Sequence, residues 1–275
     1  MVIGFITTIG QLYTSTQDNQ DIVFHTNDKI KANSYNRRTH VLIARSVSDA
    51  ETENVIADLR YYNSYAKHYA DVTQSISQCN RLRQSHMINP YANKSQAFPN
   101  HILCESINNI TLGNVEVVFL YFARNADVAN NILEAYNNSD SVNEIEVIDV
   151  SGDSRKVWDW IYYLNDIRLY GFDYVWMIDG DILLRSINWV AFWQQILLLR
   201  PKIAQPSIIG TKEGGYSSYH SVLRHQQDSR LLAAESSIVE LMTPLFHIDT
   251  WLGYRDVLTK HPELLRRIRV GGENW

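Results

Sequence analysis

Two carboxylates, Asp179 and Asp181, stand on either side of Gly180 at the end of the run Phe172-Asp173-Tyr174-Val175-Trp176-Met177-Ile178. An ionised group withdrawn from water without a partner is penalised by roughly several kcal/mol, so a buried strand cannot keep this pair in its interior. The strand must deliver the acids to solvent at its tip or to a hard divalent cation that takes oxygen ligands. Gly180 allows the backbone to come close to whatever sits there. A cation held by Asp179 and Asp181 would neutralise a diphosphate leaving group, the chemistry needed to move a sugar from a nucleotide diphosphate to an acceptor.

Two other readings fit the same residues. In a phosphohydrolase of the haloacid dehalogenase type, Asp179 would be the nucleophile and Asp181 the acid; no adjacent Asp pair follows residue 181 to complete such a site. Alternatively the two acids cap a turn, accepting backbone N–H bonds at a helix start. Beyond the pair, Glu240 lies among apolar residues in Val239-Glu240-Leu241-Met242 and is the candidate general base for an acceptor hydroxyl. His220, Arg224 and His225 share a long polar segment, 210–235, where Arg224 can give bidentate contact to phosphate. His247 is a candidate metal ligand, and Asp149, ending a strand, a candidate nucleotide contact. Trp189, Tyr216, Tyr219 and Trp251 are candidates for stacking on sugar rings, whereas Trp160, Trp176, Phe192 and Trp193 read as core.

The elements that must position these residues alternate regularly. Residues 115–122 form a β-branched and aromatic run suited to a strand buried on both faces. Asn125 caps a helical pattern carried by Ala126, Ala129, Ile132, Leu133 and Tyr136, and residues 145–150 form a second strand. Val157, Trp160, Ile161, Leu164 and Ile167 mark one face of a helix ended by Gly171, and the acidic strand follows at once. Residues 188–199 form another helix stopped by Pro201, and 203–208 an edge or bent strand, because Pro206 cannot donate to a ladder. Val41-Leu42-Ile43-Ala44 is a first strand of the same sheet, followed by a helix from Ala50 to about Ala70. The expectation is an α/β fold, a mostly parallel sheet flanked by helices. In such sheets ligands bind outside the carboxyl ends of the strands, where the acid pair falls.

With 275 residues, one large α/β domain is expected rather than two small ones. A net charge of −5 and the lack of a long basic run argue against nucleic acid as a partner. The two cysteines, Cys79 and Cys104, lack metal-ligand spacing. The start, Met1 to Ile9, has no basic region and is too short to span a bilayer, so neither a signal peptide nor a transmembrane anchor is expected.

The stretch from Phe172 to Ile182 resembles the nucleotide-sugar and metal site of GT-A-type glycosyltransferases, whose Asp-x-Asp follows an apolar strand. More narrowly, Tyr174 to Ile182, Ile203 to Ser207 and Val239 to Phe246 are similar, in order and spacing, to three stretches of the glycosyltransferase-like family known as domain of unknown function 707. The resemblance spans residues 114–275. It implies a single GT-A-like, Rossmann-like domain over 1–275, with 1–113 an unmatched N-terminal part, 114–200 the nucleotide-sugar and metal half, and 201–275 the acceptor half. It implies Mn²⁺ or Mg²⁺ at the Asp179 and Asp181 pair and a nucleotide-diphosphate sugar contacted by Asp179; beside it His247 is a further candidate ligand of the cation, Asp149, Arg224 and His220 are candidate donor contacts, and a glycan or other hydroxyl acceptor is expected near Glu240. It also implies a place along the secretory route. The family pattern runs on into Trp-Gly-Leu-Asp whereas this chain stops at Trp275, so a further carboxylate is expected beyond it. A non-catalytic carbohydrate-binding or scaffold protein on the same fold is the alternative.

Overall fold

Strands whose residues are apolar on both sides have to be covered on both faces, and that requirement organises this chain. The computed structural model describes residues 5–7, 38–69, 97–99, 114–139, 143–151, 156–206, 231–235, 239 and 242–263. The strands are β1 (Phe5–Thr7), β2 (Thr39–Val47), β3 (Ala97–Pro99), β4 (Val115–Ala123), β5 (Glu144–Asp149), β6 (Tyr174–Ile178), β7 (Ile203–Pro206), β8 (Leu231–Glu235) and β9 (Leu245–His247). The helices are α1 (Thr52–Tyr69), α2 (Ala126–Asn137), α3 (Lys156–Tyr163), α4 (Trp189–Leu199) and α5 (Ile248–Lys260). Among the described residues the strands form one sheet in the order β3-β8-β1-β7-β9-β6-β2-β4-β5. The block β6-β2-β4-β5 is parallel throughout. β9 runs antiparallel to β6 and to β7. This is a Rossmann-like α/β architecture.

The two faces are filled by alternate residues of the same strands. Val41 and Ile43 of β2, Phe119 and Tyr121 of β4, and Trp176 and Ile178 of β6 pack with α1, α2 and α4. Leu42 and Ala44, Leu120 and Phe122, and Val175 and Met177 pack on the other face with α3 and α5. The first face is aromatic: the Trp176 ring stacks on Phe192 at 4.6 Å between centroids and meets Trp189 and Trp193 edge-on. Trp176 is also tied across the sheet, its indole N–H donating to the hydroxyl of Thr243 at 2.8 Å. Helix starts follow the expected caps. Asn125 accepts from the Val128 amide at 2.9 Å, and Asn188 accepts from the Ala191 amide at 3.1 Å.

Three expectations change. α3 ends at Tyr163 instead of running on towards Gly171, because the Asn165 side chain accepts the Arg168 amide at 3.1 Å and sets a turn in place of helix. Ile167 is therefore 84% exposed, while Gly171 adopts φ +90° in the turn that leads into β6. β7 is an interior strand, bonded to β9 on one side and β1 on the other. Pro206 is accommodated because it is the last residue of β7, paired with Phe5, where the missing donor falls at the end of the ladder. Trp189 and Trp251, considered for sugar stacking, are core residues at 0% and 2% exposure. Trp251 donates its indole N–H to the Leu164 carbonyl at 2.7 Å. Tyr216 and Tyr219 lie outside the described residues.

Candidate functional site

The acid pair emerges from β6 in a tight turn. The Asp179 amide still belongs to the sheet, donating to the Met242 carbonyl at 2.9 Å, while the Ile182 amide donates to the Asp179 carbonyl at 3.2 Å and closes a β-turn over 179–182. Asp179 is half-buried and Asp181 is exposed. The turn lies at the point where the sheet order reverses: β4 and β5 extend the sheet on one side of β2, and β6 returns to its other side. The reversal point, at the carboxyl ends of the strands, is the usual ligand position in open α/β sheets.

Gly180 is needed here for space. A Cβ at this position would lie 2.6 Å from the Ser46 carbonyl oxygen at the end of β2 and 3.0 Å from the Glu51 side chain. Glu51 is itself fixed, accepting the Ser48 amide at 2.7 Å in a capping interaction at the start of a 3-10 turn leading into α1. The acid turn thus rests directly on the β2 end and on the segment leading into α1.

Beneath it lies a buried charge cluster that the sequence reading passed over. Arg45 of β2 is 1% exposed. Its guanidinium donates to the Gly180 carbonyl at 2.7 Å, to the Ile182 carbonyl at 2.5 Å and to Asp58 of α1 at 2.8 Å. Asp58 in turn accepts the amides of Leu184 at 3.1 Å and Arg185 at 3.2 Å, with the Arg185 guanidinium Nε at 3.2 Å. The signal was present: an arginine within an otherwise apolar strand, and an aspartate at a helix position flanked by Ala57 and Leu59.

The remaining expected residues are dispersed. Asp149 ends β5 on the same sheet edge, but β2 and β4 intervene, which sets it about 14 Å along the edge. Its carboxylate accepts the Ser151 amide at 2.8 Å. His247 does not join the acid pair. Antiparallel pairing sets it opposite Tyr174, the first residue of β6, roughly 16 Å from the end that carries Asp179. There it caps α5, accepting the Asp249 amide at 3.3 Å, and its ring meets the Tyr174 ring edge-on at 5.4 Å. The register that removes His247 brings Met242 to Asp179 instead. His220, Arg224 and Glu240 lie outside the described residues.

Among the described residues no group of three or more His, Cys, Asp or Glu side chains is arranged to hold a metal ion. The turn itself offers two carboxylates and little else. Of its four carbonyls, that of Asp179 is engaged by the Ile182 amide and those of Gly180 and Ile182 by Arg45. Two side-chain carboxylates, with three of the four turn carbonyls engaged elsewhere, could contribute to a site for a small hard cation that completes its shell with water and phosphate oxygens, and do not form a closed all-protein cage. Among the described residues no helix is long and apolar enough to cross a membrane.

No family model matches the chain, so the likeness to domain of unknown function 707 rests on the three sequence segments. No curated protein matches it to a significant degree. Among solved structures it is similar to a "putative nucleotide-diphospho-sugar transferase" from Desulfovibrio desulfuricans G20, at 11% identity and a TM-score of 0.28, over 71% of this chain and 79% of that one. A likeness so distant says nothing about the site.

Proposed function

We propose that this chain is a metal-dependent glycosyltransferase of GT-A type, related to domain of unknown function 707, which moves a sugar from a nucleotide-diphosphate donor to a hydroxyl acceptor. The observation that carries this reading is the position of Asp179 and Asp181: a carboxylate pair on a tight turn at the carboxyl end of β6, beside the reversal of strand order. Mn²⁺ or Mg²⁺ is the implied cofactor, and when bound it neutralises charge on the departing diphosphate. In this reading Asp181, exposed, and Asp179, half-buried, hold the cation by their side chains. The donor would lie over the carboxyl ends of β6 and β2 with its nucleoside directed towards β4 and β5, where Asp149 ends its strand. Arg224 and His220 close over the diphosphate, and Glu240 takes the proton of the acceptor hydroxyl. That hydroxyl oxygen bonds to the anomeric carbon, the bond from that carbon to the diphosphate oxygen breaks, and the nucleoside diphosphate leaves with the electron pair.

The test is thermal stability of the purified chain with UDP, GDP or CMP, each with and without Mn²⁺. A ligand that binds only the native state and is present at a hundred times its Kd stabilises by about 2.7 kcal/mol. The expected result is a rise that needs both one nucleotide and the metal and disappears in Asp181→Asn. No rise with any combination would overturn the donor-site reading and favour a carbohydrate-binding or scaffold role.

A further inference from the structure

We infer that Arg45 and Asp58 are positioning residues for the acid turn: their buried pair aims the Asp179 and Asp181 carboxylates for cation binding. This inference rests on the metal reading above. The arrangement exceeds what stability of the fold requires. Replacing a buried ion pair by neutral groups of similar volume is often harmless or stabilising, so the pair calls for another explanation. Every bond it makes outside itself goes to one segment: Arg45 to the carbonyls of Gly180 and Ile182, Asp58 to the amides of Leu184 and Arg185 and to the Arg185 guanidinium. The planar guanidinium fixes two carbonyls on either side of Asp181 at once, which leaves the intervening residue little freedom to rotate. Gly180 seats the same turn closely against the Ser46 carbonyl. A turn held through its carbonyls has its backbone fixed, and with it the positions from which the Asp179 and Asp181 side chains start. The residue count is complementary as well: Arg45 follows Ala44 at the carboxyl end of β2 and pairs in register with Ile178, the last residue of β6, so its guanidinium starts one step beneath the acid pair.

Outer groups that orient metal ligands typically change metal affinity by about 10- to 100-fold when removed. The experiment is a Mn²⁺ titration followed by electron paramagnetic resonance, with Mn²⁺ alone and with saturating UDP or GDP. It compares wild type, Asp181→Asn, Arg45→Lys and the double variant Arg45→Met with Asp58→Asn. The double variant removes both buried charges and keeps one of the two side-chain oxygens that accept the Leu184 and Arg185 amides, so it avoids the unpaired buried charge that a single truncation leaves. Urea denaturation and circular dichroism are recorded on each. The expected result is that the double variant keeps a cooperative urea transition while Mn²⁺ affinity, measured on the folded protein, is about 10- to 100-fold weaker than in wild type, a loss that a merely structural role would not produce. If wild type binds Mn²⁺, Asp181→Asn abolishes binding, and the folded double variant binds as tightly as wild type, the positioning role is overturned while the metal reading stands. If wild type binds no Mn²⁺ with either nucleotide, the metal reading fails, and the positioning role with it.

Discussion

Gly180→Ala is the most direct probe of how the acid turn is seated. The backbone at Gly180 is not in the left-handed region, so alanine brings no conformational penalty of its own, and by stiffening the unfolded chain it would ordinarily stabilise by about 0.4–1 kcal/mol. Opposing this is a Cβ placed 2.6 Å from the Ser46 carbonyl oxygen, about 0.8 Å (3.4 less 2.6) inside the distance at which ordinary contact begins. Ser46 is in a strand bonded to its neighbours on both sides and cannot retreat, and the Glu51 side chain at 3.0 Å is held by its bond to the Ser48 amide. The turn must therefore move. Over-packing of this kind costs about 1–3 kcal/mol, which against the gain of about 0.4–1 kcal/mol leaves a net loss of about 0–2.6 kcal/mol. In urea the midpoint should fall with the slope unchanged, and by calorimetry Tm should fall by about 2–4 °C for each kcal/mol. The same displacement stretches the 2.7 Å bond from Arg45 to the Gly180 carbonyl, so Mn²⁺ affinity should fall with stability. An alanine variant more stable than wild type would show that the turn is not lodged against β2, and the account of the site would be wrong at its base.

Two further outcomes are expected. His247→Ala should destabilise by about 1 kcal/mol through loss of the α5 cap and the contact with Tyr174, and should leave any metal-dependent nucleotide stabilisation as in wild type; loss of metal dependence on urea-matched samples would return His247 to the site. Burial pushes the Tyr174 hydroxyl up to about 12 and those of Tyr62 and Tyr121 higher still, so the native state holds these protons where the unfolded chain has released them. Their contribution to stability is complete below the ordinary tyrosine value of 10.0, declines as pH rises above it, and is gone once pH passes the folded values. Stability should fall by up to about 1.4 kcal/mol per pH unit for each of the three. Urea midpoints read alongside tyrosinate absorbance would test this, and complete ionisation near pH 10 with the fold intact would refute it.

β4 and β6 were legible because each is a run of apolar residues too short to be a helix, and α2 because it shows an apolar face after a capping Asn. The errors have physical causes of the same kind. Ile167 continues the spacing of Val157, Trp160 and Leu164, but the Asn165 carboxamide competes for a backbone amide, and a local hydrogen bond of that sort overrides an apolar period. Trp189 reads as a candidate platform for a sugar ring because a helix start faces outwards as often as inwards; its burial follows from the aromatic neighbours Tyr62, Trp176 and Trp193, contributed by three separate elements. Pro206 suggested an edge because proline lacks a donor, yet a strand of four residues flanked on both sides can lose its last donor and remain inside a sheet.

For the site, what could be read depended on whether an interaction joins side chains near each other in sequence or reaches backbone far away. Asp179 and Asp181 break an apolar pattern within three residues, and the break itself locates the strand tip. His247 was misplaced because the number of residues from Asp179 says nothing about direction: β9 runs against β6, so its last residue arrives at the end of the sheet where β6 begins. Arg45 breaks an apolar pattern as visibly as the two acids do, but its partners are Asp58, thirteen residues on, and two carbonyls more than 130 residues away. Carbonyl acceptors carry no residue signature. A buried arginine without a nearby acid in sequence should therefore be read as a demand for distant backbone, and in an α/β sheet the carbonyls most in need of a donor are those of turns that leave the carboxyl ends of strands. That places such an arginine beneath a turn at the carboxyl ends of the strands by the logic of the sheet alone.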